Sequence, residues 1–292
     1  MKNIVCFGEV LWDVFPSHKK IGGAPLNVAL RLQLLNNNVS IISSIGDDED
    51  GEKIKDYIVE QGIHVENLQV DKKLKTGIVQ VILNQKGSAS YNIKLPRAWD
   101  NIKLSESNKK VTENADAFIY GSLAARNSIT RNTLYTLLKI AKYKIFDVNL
   151  REPYYTIDVL NSLMQEADFI KFNDDEIFEI CQSLNFHSKV IEENISYIAE
   201  QTNTKSICVT KGSKGAVLYY NGTFYSNTGY TIKVIDTVGA GDSFLATLIS
   251  KLLNKDNPQE AIDYACAVGA LVAGSEGANP IIKEEDINHF IS

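Results

Sequence analysis

The chain has 292 residues, 44% of them hydrophobic, and a formal net charge of −6. That length and apolar content allow a large folded core, while the acidic balance argues against a general nucleic-acid or anionic-membrane surface. The four cysteines form no CxxC and the four histidines no metal-ligand spacing, so buried thiols in a reducing cytoplasm are expected.

The first residues, "MKNIVCFGEV", enter a strand at once without a signal-peptide core, and no apolar run is long enough for a membrane span. A helical pattern over 25–35 follows, then the strand "VSIISSIG" and a helix over 50–61. Residues 76–95, "TGIVQVILNQKGSASYNIKL", are two β-runs joined by "NQKG", the composition of a hairpin. This hairpin is expected to project as a small flap, joined by the segment around 13–20. The strand "DAFIYGS", a helix over 131–142, and the strands "KIFDVN" and "DFIKFN" come next. Helices over 174–183 and 190–201, the strand "SICVTKG", and helices over 242–253 and 258–274 complete the series. The strands outside the flap are almost continuously apolar, as strands covered on both faces must be. Their alternation with helices predicts one α/β domain over 1–292, a mainly parallel central sheet with helices on both faces and a small β-lid. In such sheets ligands lie beyond the C-terminal strand ends.

The segment "DTVGAGDSF" runs from small residues into a helix. Gly239, Ala240 and Gly241 let a ligand approach the backbone, and unpaired helix N-terminal amides favour an anion. An aspartate there, Asp242, feels the helix dipole and can remain ionised. It is a candidate proton acceptor beside a phosphoryl group, and a candidate helix cap. A P-loop is absent: "GDDEDGEK" (46–53) mimics its glycine spacing but is acidic where phosphate would sit, and reads as a solvated turn and helix start. It lacks the terminal glutamate of an EF-hand, and "CFGEVLWDVF" lacks the dinucleotide fingerprint.

Together these motifs resemble the ribokinase-like (PfkB-type) carbohydrate kinases, and fructokinases most. "IGGAPLNVALRL" is similar to the family's Gly-Gly turn with its asparagine, and "DTVGAGDSFLATLI" to its catalytic motif. Between them "KFNDDE" resembles the N-x-x-E element and "VTKGSKGAVL" the nucleotide strand, so the resemblance spans the chain in the family's order. It implies an ATP-dependent sugar kinase with Asp242 as catalytic base and Gly239, Ala240 and Gly241 as the anion hole. Asp13, Gly22, Gly23 and Asn27 match sugar-binding positions. Asn173 and Glu176 match residues that orient Mg2+ and the nucleotide phosphates through water, and equally read as a helix cap with first-turn acids. Thr210, Gly212 and Gly215 match the nucleotide loop, though "TKGSKG" also reads as a strand-to-strand turn.

The resemblance further implies a potassium site, for which Asp236 and the backbone of 275–277 are candidates. Asn36, Thr247 and Cys266 depart from the pattern; the first two read as packing positions, and Cys266 leaves the adenine contact open. Relatives acting on phosphorylated sugars place a lysine after the Gly-Gly turn, whereas "GGAPLN" has none, which favours a neutral sugar, fructose first. Arg97 and Trp99 after the flap are candidates to close over substrate, with Arg126 and Arg151 further candidates. Alternative specificities are ribose, 2-keto-3-deoxygluconate or a nucleoside; a non-catalytic sugar-binding regulator is more remote. An uncovered flap edge offers a route to a homodimer.

Overall fold

The computed structural model describes residues 1–83 and 89–291. Nine strands form one sheet in the order β13-β12-β11-β10-β9-β8-β1-β4-β5. Its parallel part contains β1 (Asn3–Phe7), β4 (Asn38–Gly46), β5 (Leu68–Asp71), β8 (Ala117–Gly121), β9 (Lys144–Asp147), β10 (Phe169–Asn173) and β11 (Ser206–Thr210). Two antiparallel strands, β12 (Ala216–Tyr220) and β13 (Thr223–Asn227), extend one edge. All six apolar runs outside the flap are therefore strands of this sheet. The chain leaves β1 for β4 on one side and later returns to β8 on the other. That reversal opens a crevice beyond the C-terminal ends of β1 and β8.

Strand alternation divides the interior into two cores. Ile4 and Cys6 of β1 face one, while Val5 and Phe7 face the other. Over the first core lie α1 (Ala24–Leu34), α2 (Glu49–Glu60), α8 (Ala240–Leu253) and α9 (Pro258–Ala273). The second is covered by α3 (Glu106–Asn114), α4 (Ser128–Leu138), α5 (Ile157–Glu166), α6 (Asp174–Ser183) and α7 (Ile191–Thr202). A last helix, α10 (Glu284–Ile291), packs on α9.

Helix α8 is apolar nearly all round because α1, α9 and the sheet enclose it. Each fully buried Leu or Ile on it contributes about 1.5–3 kcal/mol. Polar bonds set its register against α1: Arg31 Nε donates to Ser243 Oγ (3.1 Å) and Asn37 Nδ2 to Ser250 Oγ (3.0 Å). Of the two departures expected to be packing positions, Thr247 is one, while Asn36 is exposed and instead ends a helix. Asn36 adopts the left-handed conformation (φ 59°) after α1, and buried Thr247 donates to Ser243 O.

A second sheet has the order β3-β2-β6-β7, from β2 (Leu11–Val14), β3 (Lys19–Gly22), β6 (Gly77–Leu83) and β7 (Ala89–Ile93). The strands expected within 76–95 are β6 and β7; their "NQKG" connection lies outside the described residues. The partner segment expected at 13–20 covers two strands and extends to Leu11 and Gly22.

The acidic run at 46–53 is more than a solvated turn. Asp48 caps α2 through Gly51 N (2.9 Å) and also accepts from Thr76 N (3.1 Å) and Oγ1 (2.6 Å), at the start of β6. Asp50 forms an ion pair with Lys19, and its carbonyl accepts from Trp12 Nε1 (3.0 Å). One turn of the main body thus holds three strands of the second sheet. These bonds keep the Asp48 carboxyl below the usual carboxylate range, even against the opposing effect of burial.

The exit from β7 is clamped as well. Arg126, its side chain 2% exposed, makes a bidentate pair with Asp100 (2.6 and 2.8 Å) and donates to Lys94 O (2.8 Å). Its guanidinium lies 3.8 Å from the ring centre of fully buried Trp99 and 4.9 Å from that of Tyr154. Tyr154 in turn donates to Ile93 O (2.6 Å). Trp99 and Arg126 are consequently not free to close over substrate as expected from sequence: Trp99 is fully buried, and Arg126 spends Nε and Nη2 at the packed root of the second sheet, with Nη1 buried and unpartnered.

Candidate active site

The glycine turn lies between β13 and α8, facing the crevice. Gly239 occupies the N-cap of α8 in the left-handed conformation (φ 77°), and an added Cβ would come within 2.6 Å of Ala278 backbone. Thr237 O accepts from Ala240 N, and the first helical bond runs from Ser243 N to Gly239 O (2.8 Å). Between them, the amides of Gly241 and Asp242 belong to the helix end that has no intrahelical acceptor.

Asp242 does not cap the helix, correcting that part of the expectation. Gly239 holds the cap position, and the aspartate reaches across to α1, where Oδ2 accepts from Asn27 Nδ2 (2.8 Å). Asn27 is fixed from its other side by Asn279 Nδ2, which donates to Oδ1 (3.2 Å). Protein atoms crowd the Asp242 carboxyl, and this burial, with the like charge of Asp147, raises its pKa to about 6. The Asn27 bond and the charges of Lys171 and Arg151 oppose the rise. The outcome is a carboxylate that is ionised at neutral pH yet basic enough to take a proton.

Asn27 sits at the first turn of α1 because Gly23, the N-cap (φ 112°), packs against the Glu9 carbonyl. Gly22 pairs with Leu11 across β2 and β3, and the Asp13 carboxylate fills the space where a Cβ would stand. Asp13 is pushed up to about 6 by burial, against Arg151 and Lys20. A small cavity is lined by Asp13, Gly22, Asn27, Asp236, Val238 and Ala278. The expected sugar positions and the approach to the glycine turn therefore border one space. A larger cavity, about 330 Å³, lies at the opposite ends of β1 and β4, beside Asn3, Asn38 and Lys110, and none of the candidate residues lines it. Arg97 lies outside the small cavity's lining, at the buried root, with its amide bonded to Asp100 Oδ2 (2.7 Å).

At the next strand ends, Asn173 and Thr210 are direct register partners across β10 and β11. Asn173 and Glu176 form a capping box on α6: each side chain accepts the other's amide at 2.8 Å. Glu176 Oε1 also accepts from Leu150 N (2.9 Å). Gly212 and Gly215 make the tight β11–β12 turn; Gly212 faces open space, and Gly215 is closed against Asn227 and Gly229. Cys266 is buried on α9, which pushes its thiol up to about 12.

Three residues outside the sequence candidates join this constellation. Register pairs Lys171 of β10 with Asp147 of β9, and alternation turns both toward α8 because Phe146, Ile170 and Phe172 face the other core. Lys171 Nζ donates to Asp147 Oδ1 (2.8 Å), both side chains being under 10% exposed. Glu9, directly beyond β1, is buried with Oε2 unpartnered and is pushed up to about 7 by burial. The signal for Asp147 and Glu9 was a charge at, or just beyond, the C-terminal end of an apolar strand, and for Lys171 a charge in the middle of one.

Among the described residues no group of three His, Cys, Asp or Glu could hold a metal directly. The donor set fits Mg2+ held through water. Glu176 and Asn173 spend direct bonds on backbone amides, while Asp147 Oδ2 is a buried acceptor without a partner. Asp236, the candidate potassium ligand, accepts from Val238 N (3.0 Å) and lies 3.8 Å from Lys20 Nζ. Among the described residues no helix is long and apolar enough to cross a membrane.

Comparison with known proteins gives the family and the fold. The pfkB family carbohydrate kinase model matches residues 1–285. Probable fructokinase-5 of Arabidopsis thaliana is 29% identical, covering 96% of this chain and 94% of its own. The crystal structure of a fructokinase from Xylella fastidiosa with bound ATP superimposes with a TM-score of 0.88 at 20% identity, covering 100% of this chain and 98% of that one. A fructokinase from Vibrio cholerae with fructose, ADP and calcium gives 0.85 at 24% identity, covering 100% and 99%. The chain belongs to the pfkB family of carbohydrate kinases, phosphotransferases that act on a sugar hydroxyl.

Proposed function

We propose that this kinase transfers the γ-phosphoryl group of ATP to a hydroxyl of a neutral sugar, fructose first. The observation that carries the reading is the Asn27–Asp242 hydrogen bond, which joins the sugar-side helix to the candidate base beside the glycine turn. The sugar oxygen bonds to the γ-phosphorus as the bond to the β–γ bridging oxygen breaks. The hydroxyl proton passes to Asp242, and ADP leaves with the electron pair. Of the anion hole expected at Gly239, Ala240 and Gly241, Gly239 shapes the turn and Ala240 N already donates to Thr237 O, so the amides of Gly241 and the next residue, Asp242, face the phosphoryl oxygens, where charge spreads in the transition state. Asp13 and Asn27 accept and donate hydrogen bonds to sugar hydroxyls, with Gly22 and Gly23 bringing the backbone close. Asn173, Glu176 and Thr210 with the 212–215 turn hold the nucleotide end. Asn173 and Glu176, with Asp147, would hold Mg2+ through water, and the ion would supply positive charge beside the transferred phosphate. Arg97 is a proposed substrate contact only from its position just after the flap.

Charge supports a neutral sugar. Of the two lysines before the Gly-Gly turn, Lys19 is paired with Asp50 and Lys20 lies 3.8 Å from Asp236, and the turn itself adds no charge for a second phosphate. The second sheet would act as a lid that excludes water during transfer. Its outer strands β3 and β7 are free to pair, and a homodimer through them is the accompanying proposal, in a cytoplasmic enzyme.

Sugar-dependent ADP release with ATP and Mg2+ tests the reading across fructose, ribose, 2-keto-3-deoxygluconate and adenosine. Release with fructose above the others is expected, and chelation of Mg2+ should stop it. Preference for another member would overturn the specificity. Sugar binding with no release from any member would favour the non-catalytic reading.

A further inference from the structure

Among the described residues Lys171 is the one buried ammonium in the site, and Asp147 does not exhaust its bonding. Among the described residues Asp147 Oδ1 is its sole hydrogen-bond acceptor, so two of its three N–H donors are unspent. An idealised Cβ on Gly241 would stand 3.8 Å from Nζ, which puts the ammonium directly beneath the glycine turn. The carboxylates of Asp147, Glu176 and Asp242 surround it. Asp147 Oδ2, the remaining oxygen of the pair, is likewise buried and unpartnered. Burying an ammonium costs several kcal/mol unless its donors are satisfied. A pair left half-satisfied at the floor of an open crevice is therefore arranged for something that arrives there.

We propose that Lys171 is a further catalytic residue, donating hydrogen bonds from below the turn to a non-bridging oxygen of the transferred phosphoryl group, with Asp147 fixing its aim. This rests on the reading that places transfer at the 239–242 turn. No covalent bond to Lys171 forms. Its fixed charge offsets the negative charge on the phosphoryl oxygens while Asp242 takes the hydroxyl proton. Nucleotides with a γ-group engage it, whereas ADP alone does not reach it.

The test compares binding of ADP and of the non-hydrolysable β,γ-imido analogue of ATP, by calorimetry with Mg2+, in the full chain and in Lys171→Gln. Lys171→Gln is expected to leave ADP affinity within threefold, to weaken the imido analogue at least tenfold, and to slow single-turnover transfer at least a hundredfold. Because removing the lysine leaves Asp147 unpaired, Lys171→Arg, which restores a charged donor to Asp147, is the companion variant and should recover part of the lost analogue affinity with ADP affinity again within threefold. Equal effects on ADP and analogue, or transfer within threefold of wild type, would overturn the proposal. Asp242→Asn separates the two claims. If it turns over normally, the placement of the reaction fails and this inference with it. If it is inactive while the lysine variants do not discriminate between the nucleotides, the inference alone fails.

Discussion

Replacing Asn27 by Leu removes the one side-chain hydrogen-bond donor that the described residues give Asp242, while keeping a branched side chain in α1. Asp242 has a pKa of about 6, raised by burial and Asp147 and held down by Asn27, Lys171 and Arg151. Only its ionised form accepts the proton, so the transfer rate should rise with pH through that value. A hydrogen bond to a charged group contributes about 1.5–3 kcal/mol. With about 1.4 kcal/mol per pKa unit, Asn27→Leu should move the acid limb up by about one to two units. At pH 7 the ionised fraction would fall by about 2- to 10-fold, and at pH 9 most of that deficit should vanish. Rapid-quench single-turnover rates from pH 5 to 9, at saturating sugar, read this directly. Glu9 and Asp13 also titrate near neutrality, but Asn27 is bonded to neither, so the displaced limb reports on Asp242. A deficit of the same size at pH 7 and pH 9 would refute the reasoning, because it would make Asn27 a substrate contact with no hold on the base.

Arg126→Met should destabilise the fold by about 3–5 kcal/mol, because it leaves Asp100 buried without its counter-ion. Thermal unfolding checks it, and a loss under 1 kcal/mol would contradict the role given to the clamp. Asp48→Ala should cost about 0.5–2 kcal/mol through its lost cap, and should weaken attachment of β6 through Thr76. Since the folded Asp48 pKa is depressed, that contribution is present above its unfolded value and is lost as pH falls through the folded one. Wild type and variant should therefore converge in acid, and a gap that widens there would be inconsistent with this linkage.

How much was legible in the chain follows from how each signal is carried. The strands of the parallel sheet were readable because burial on both faces leaves almost no polar position in them. Helix α8 begins at Ala240, two residues before the apolar period suggests, because Gly239 takes the cap without any side chain to announce it. Helix α3 carries almost no apolar face and left no periodic trace, whereas α5 had one: Thr156 as cap, then Leu160, Leu163 and Met164 at helical spacing. In the site, local motifs marked the glycine turn and the N-x-x-E cap. Long-range geometry did not show: no sequence rule ties Asn27 to Asp242 across 215 positions. Lys171 and Asp147 meet only through strand register, so each alone read as a polar interruption of an apolar strand. Trp99 and Arg126 were misread for the related reason that an arginine after a strand is as readily buried against an aromatic ring as aimed at a ligand.

Asp242→Asn tests the central claim most directly, with transfer to fructose and ADP affinity measured on the same preparation. The asparagine keeps the size of the side chain but cannot take the proton. Turnover should fall at least about 10²- to 10⁴-fold, with ADP affinity close to wild type. Turnover comparable to wild type would contradict the assignment of Asp242 as the base.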